Sequence, residues 1–252
     1  MSGNVKKEFG DYQTPLDFCY RVCNYIKESR LAEDAAAIME PTCGVGNFLL
    51  AASNTFACSK LIGIEVNAKR ADAARIEVPS ATIETNDIFN VSTKTLCGED
   101  CVLVIGNPPW ATNSELSFNL PPKTNFKGLR GIEAITGSSN FDICEYIILK
   151  LIGEYKHTNS TICMLCKTSV ARNVVSELSR NHIAYQKVEM LNFNSSKIFG
   201  ISASACVLII KLSTDEACAG EIVCEVKDFD KKSVIDTLIV SGDTVKTASF
   251  VA

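Results

Sequence analysis

The chain is short of several things. Its 252 residues hold one tryptophan, two histidines and seven prolines, and 25 basic side chains stand against 29 acidic ones, for a formal net charge of −4. No stretch reaches the roughly 18 uninterrupted apolar residues of a membrane-spanning helix. The opening MSGNVKKEFG has lysines but no apolar segment behind them, so it lacks the form of a secretory signal. The expectation is a cytoplasmic protein with no membrane association. Because proteins that bind nucleic acid alone are usually basic, such a role would need local basic patches or a partner. No GxxxxGK[ST] occurs, which removes a triphosphate-binding P-loop from consideration. Cys and His nowhere cluster at zinc-ligand spacing, so no metal is expected.

Cysteine, by contrast, is abundant, with twelve copies. They sit inside apolar runs such as TICMLCK and SACVLII, and even the CxxC of Cys163 and Cys166 lies in a strand-like segment. They read as small, reduced core residues and not as ligands or redox centres.

Short β-rich runs alternate with segments of helical period, the pattern of an α/β domain around a mostly parallel sheet. Strands are expected at 35–40, 61–65, 81–86, 101–106, 161–166, 184–192 and 204–212. Thr14 is the expected cap of a helix opening with Pro15, Asn67 of AKRADAARIE, and Asn140 of FDICEYIILKLIGEY. A further amphipathic stretch runs from 169 to 180. The segment 111–139 lacks periodicity and carries Pro121, Pro122, Lys123, Lys127 and Arg130, which suggests a long functional loop. The principal domain is expected to span 1–212, with 213–252 a short extension of possible extra strands.

Three strand ends carry polar chemistry. The first runs into EPTCGVGNFLL, where Gly44 and Gly46 permit a tight turn beside a helix start with free N–H groups. The second ends on Glu65, placed to bind both hydroxyls of a ribose. The third ends on Asp87, placed to accept from an exocyclic amine of adenine. Ligands of open parallel sheets bind beyond the carboxyl ends of the strands, so these three describe a site for a nucleoside-containing cofactor.

The fourth strand ends on Asn107-Pro108-Pro109-Trp110. An aromatic amine is a weak nucleophile because its lone pair is delocalised into the ring. The Asn107 side-chain oxygen and the Pro108 carbonyl could accept both N–H bonds and return that lone pair to nitrogen. The prolines fix the backbone and remove competing donors, and Trp110 offers a flat face for a planar base.

These motifs, in this order from Tyr12 to Leu212, resemble the S-adenosylmethionine-dependent DNA adenine-N6 methyltransferases of restriction-modification systems. DYQTP resembles the N-terminal cofactor motif, implying that Tyr12, Thr14 and Pro15 border the methionine end. EPTCGVGNF resembles the glycine loop, implying contacts from Glu40, Pro41, Thr42, Cys43, Gly44, Gly46 and Phe48. GIEVN and NDIF imply Glu65 with Val66 and Asp87 with Ile88 around the nucleoside, with Asn107 beside the methyl group. NPPW is similar to the catalytic tetrad, whose last place is more often Tyr or Phe. KIFGISASACVLIIKL resembles the segment whose aromatic packs on the extruded base, which would be Phe199.

The resemblance implies a Rossmann-like class I methyltransferase fold: a seven-stranded, mostly parallel sheet with helices on both faces. It also implies S-adenosylmethionine as cofactor and DNA as partner, with Trp110 and Phe199 clamping a flipped adenine. Only about forty mostly non-basic residues follow the last expected strand, where the family usually places a large target-recognition domain. A separate specificity subunit or a recognition region beyond this chain is therefore expected, with contacts from the 111–139 loop, Lys167 and Arg172. Cytosine N4, an RNA base and a protein glutamine present the same amine problem. A non-catalytic subunit with this fold is the remaining alternative.

Overall fold

The computed structural model describes residues 13–57, 60–98, 101–111 and 142–248. The seven apolar runs form strands within two residues of the expected bounds: β1 (Ala37–Glu40), β2 (Lys60–Glu65), β3 (Ala81–Thr85), β4 (Val102–Gly106), β5 (Thr161–Lys167), β6 (Tyr185–Phe193) and β7 (Ala205–Leu212). Every residue of β1, β4 and β7 is buried, as expected of strands covered on both faces. Side chains such as Met39, Leu103 and Ile105 are wholly buried, each worth about 1.5–3 kcal/mol.

Helix α1 (Leu16–Glu28) precedes β1, and the others lie between successive strands: α2 (Asn47–Thr55), α3 (Ala68–Glu77), α4 (Thr93–Cys97), α5 (Ile143–Tyr155), α6 (Thr168–Arg180) and α7 (Ser195–Phe199). Two expected caps are replaced. Pro15, not Thr14, occupies the cap position of α1, and no side-chain cap bond forms there. The Thr14 carbonyl is committed elsewhere, accepting from Asn47 Nδ2 at 2.8 Å. Helix α5 begins after Asp142, whose side chain accepts from Cys144 N, while Asn140 lies outside the described residues. Asn67 caps α3 as expected, through Lys69 N and Arg70 N.

Among the described residues the sheet has ten strands and not seven, in the order β10-β9-β8-β6-β7-β5-β4-β1-β2-β3. Strands β1 to β5 pair in parallel, and β7 enters antiparallel between β5 and β6. The additions are β8 (Ile222–Asp228), β9 (Val234–Ser241) and β10 (Thr244–Thr247). Their alternation was weak in the sequence because one face of this extension is only partly covered, leaving Val223 and Ile235 exposed. Beyond residue 212 the sheet simply continues. The β8–β9 turn buries Phe229 against Phe18 and Tyr25 of α1, at ring separations of 5.3 and 6.4 Å, and Arg21 lies over the Phe229 ring while pairing with Asp230.

A buried ion cluster also anchors α1. Glu189 of β6 is wholly buried, accepting from the Tyr25 hydroxyl at 2.8 Å and from Lys227 Nζ at 2.6 Å, with Lys187 Nζ at 2.5 Å. Burial raises its pKa, but the bonds from Lys187, Lys227 and Tyr25 outweigh it and hold the carboxyl below its ordinary range. Cys163 and Cys166 are both wholly buried in β5. Three positions apart on one strand, they point to opposite faces. Among the described residues no group of three or more His, Cys, Asp or Glu could hold a metal ion, and no helix is long and apolar enough to cross a membrane.

Candidate active site

The carboxyl ends of β1 to β4 surround a cavity of about 460 Å³. The β1–α2 loop forms its floor. Gly44 and Gly46 take φ of +56° and +91°, a left-handed region that disfavours other residues. A Cβ on Gly44 would lie 2.6 Å from Gln13 Oε1, the end of a flexible side chain that can move aside, so the positive φ is what calls for glycine there.

Glu65 ends β2 and organises this floor. One oxygen accepts from Gly44 N at 2.9 Å and the other from Asn67 N at 2.8 Å. A carboxylate has about four acceptor positions, so capacity remains for two hydroxyls of a ligand. Asp87, half-buried at the end of β3, accepts from Phe89 N through Oδ1 and so shapes its own turn. Val66 is 69% exposed at the cavity mouth, available to an apolar ring, and Ile88 lines the same wall.

Glu40 sits deepest. It is buried, with Oε2 accepting from Leu49 N at 3.2 Å near the start of α2. Burial pushes its pKa well above the carboxylate range; the Leu49 bond opposes this and the nearby Glu65 adds to it. An acid so placed favours a ligand carrying a positive charge. The buried Thr42 hydroxyl oxygen has no hydrogen-bond partner among the described residues.

Of the residues expected to hold a cofactor, Thr14, Glu40, Pro41, Thr42, Cys43, Gly44, Phe48, Glu65, Val66, Asp87, Ile88 and Asn107 all line the cavity. Pro15 and Gly46 do not: Pro15 caps α1, and Gly46 caps α2 while packing on Ala74 and Val78 of α3. Tyr12 and most of the 111–139 loop lie outside the described residues. Sequence reading missed Gln13, Asn47, Asn67, Arg70 and Asn86, each close in sequence to a named motif. It also missed Ile143 and Ile147, brought in from α5, whose only signal is their four-residue spacing on one helix face.

The tetrad lies at the other end of the cavity. Asn107 and Pro109 line it, whereas Pro108 and Trp110 are buried behind. Trp110 was expected to face a base instead of the core, yet it is only 5% exposed. Its indole N–H donates to the Leu165 carbonyl at 3.3 Å, and its ring meets Phe199 edge-on, centroids 5.5 Å apart at 74°. The two expected clamp residues are thus neighbours but pack on each other, leaving no slot between them. Two apolar rings with nothing between them remove area from water by touching. Lys167, expected to be available to DNA, is paired with Asp142 at 3.0 Å, while Arg172 is exposed on α6.

No protein-family model matches the chain. It is 35% identical over 226 residues to the Type II methyltransferase M.NspV of Nostoc sp. (strain ATCC 29411 / PCC 7524), a match covering 84% of this chain and 47% of that protein. The chain is thus related in sequence to this Type II methyltransferase. It spans about half the length of this curated relative. Among solved structures, the type I restriction-modification system methyltransferase subunit of Streptococcus thermophilus superposes with a TM-score of 0.60 at 14% identity, over 92% of this chain and 56% of that one. A Listeria monocytogenes protein assigned to the class I S-adenosylmethionine-dependent methyltransferases also superposes with a TM-score of 0.60 at 14% identity, over 85% of this chain and 65% of that one. The fold is that of a class I methyltransferase, Rossmann-like α/β, enlarged by three strands.

Proposed function

We propose that this chain is the catalytic part of a DNA methyltransferase that uses S-adenosylmethionine and methylates the exocyclic N6 amine of a flipped adenine. The observation that carries the reading is the cavity in which Glu40, Glu65 and Asp87 converge and which Asn107 also lines. The residues fit the cofactor. The buried Glu40 and the unpartnered Thr42 hydroxyl suit the charged amino-acid end, Glu65 keeps acceptor capacity for ribose hydroxyls, and Asp87 with Val66 and Ile88 suits an adenine.

When bound, S-adenosylmethionine supplies an electrophilic sulfonium methyl group. Asn107 and the Pro108 carbonyl accept the two N–H bonds of the target amine and return its lone pair to nitrogen. Pro108 and Pro109 hold that carbonyl in place. Reaching the amine in duplex DNA requires the base to leave the stack, and Trp110 and Phe199 must part to receive it. The surplus proton leaves to solvent, because methylation makes the amine acidic.

We further infer that target sequence is read by another subunit or region. The acidic balance and the coverage of only 47% of the Nostoc relative support this. The test is incubation with radiolabelled S-adenosylmethionine and mixed-sequence DNA, followed by mapping of modified bases, with and without co-purifying proteins. Label on adenine N6 is expected. Label on cytosine N4, on RNA or on a protein glutamine would replace the adenine reading, and absence of cofactor binding by calorimetry would point to a non-catalytic subunit.

A further inference from the structure

Asp142 and Lys167 do not line the cavity, yet they close a ring of contacts around the tetrad. The Trp110 indole reaches the Leu165 carbonyl at 3.3 Å, and the Ala111 carbonyl accepts from Ile143 N at 3.0 Å. Two residues beyond Leu165, Lys167 ends β5, and its Nζ donates to Asp142 Oδ2 at 3.0 Å. Asp142 Oδ1 accepts from Cys144 N at 3.0 Å and so caps α5. The loop therefore bonds to β5, β5 to Asp142, Asp142 to α5, and α5 back to the loop.

The side chains of Asp142 and Lys167 are 10% and 30% exposed, so their attraction is only partly screened by water. Burial pushes the Asp142 carboxyl up, and Lys167 pulls it back toward the charged form. Among the described residues, the other titratable groups acting with Asp142 are Glu145 and Cys144 of α5 and Cys166 of β5, which bring no positive charge.

We propose that the Asp142–Lys167 pair is a positioning element for methyl transfer, locking the first turn of α5 to the end of β5 and so holding Asn107–Trp110 in register with the cavity. This rests on the methyl-transfer reading above. Neither residue touches substrate; both act through the tetrad loop. Removing the lysine leaves a buried carboxylate without its countercharge, and the first turn of α5 must shift or take up a proton.

The test uses a property of the composition: Trp110 is the only tryptophan, so emission excited at the red edge of the indole band, where the six tyrosines barely absorb, reports on this loop. In Lys167→Met, kcat is expected to fall roughly ten- to a hundredfold with cofactor affinity unchanged, since small misplacements of reacting groups are that costly. Trp110 emission is expected to shift to the red and become more accessible to acrylamide. The acid limb of the kcat profile is expected to move to higher pH, because Asp142 has lost the cation that favoured its charged form. Lys167→Arg should restore all three, as a guanidinium can still reach the carboxylate. If Lys167→Met does not fold, Asp142→Asn keeps a capping oxygen, removes the charge, and is expected to lower kcat and shift emission in the same way. Unchanged turnover and emission in these variants, or failure of arginine to rescue, overturns the proposal. If the unmodified protein transfers no methyl group, the functional reading fails by itself, and Trp110 emission still decides the positioning: a shift sustains it and no shift overturns it.

Discussion

At one end of the cavity, Glu40, Gly44, Glu65 and Asp87 come from three successive strand-to-helix turns, and backbone amides already hold their side chains: Leu49 N on Glu40, Gly44 N and Asn67 N on Glu65, Phe89 N on Asp87. At the other end, the Asn107–Trp110 segment is held from elsewhere in the chain: Trp110 meets Leu165 and Phe199, Asp142 pairs with Lys167, and the two rings are closed on each other. The first end is built by local chain geometry and needs no rearrangement to offer its acceptors. The second is built by tertiary packing and must open. Substitutions at the cofactor end should therefore change affinity, and those at the target end should change turnover.

The sharpest break of that contrast is Asn107→Ala. Loss of one acceptor for the target amine is expected to lower kcat by about 10²–10³-fold. Calorimetric cofactor affinity should persist, and unchanged turnover would sink the mechanism. Next is Glu65→Ala, which removes the proposed ribose acceptors and strands two amides; cofactor binding should weaken by about 10²-fold, with the fold retained. An affinity equal to that of the unmodified protein would remove Glu65 from the site. Phe199→Ala is expected to weaken methyl transfer by about tenfold through lost base stacking. It should also expose Trp110, visible as a red-shifted emission, while cofactor affinity stays constant.

The smallest effect concerns Glu40. Its raised pKa means that its stability contribution is full below the ordinary glutamate value of about 4.3 and is lost as pH rises toward the folded-state value. Glu40→Gln escapes that loss, so its ligand-free Tm should exceed that of the unmodified protein by about 2–4 °C near pH 8, with no excess at pH 4. Cofactor affinity should fall at the same time. A Tm difference that does not vary with pH would show that the carboxyl carries no such burden.

Much of the cofactor end was legible because its residues are contiguous with their strands. Glu65 and Asp87 stand at the ends of clear apolar runs, and twelve of the proposed contacts line one cavity. Pro15 and Gly46 lie at the starts of α1 and α2 and outside the cavity lining, because a proline or glycine beside a site can also serve a helix start. Trp110 was read as an open stacking face because a sequence does not say what covers a ring. The Asp142–Lys167 pair joins residues 25 apart, and no periodicity announces such a contact. The three added strands are faint in sequence because β8 buries alternate residues, β9 does so only near its end, and β10 buries none.

By itself, then, the sequence determined the α/β alternation, the parallel core strands and the identity of the acids at their ends, since burial and turn chemistry are local and leave a regular imprint. Tertiary structure alone decided that β7 enters antiparallel, that the tail joins the sheet and grips α1, and that Trp110 rests against Phe199 behind a ring closed by Asp142 and Lys167. Those outcomes depend on which distant surfaces find one another when apolar area leaves water, and no short stretch of chain contains that information.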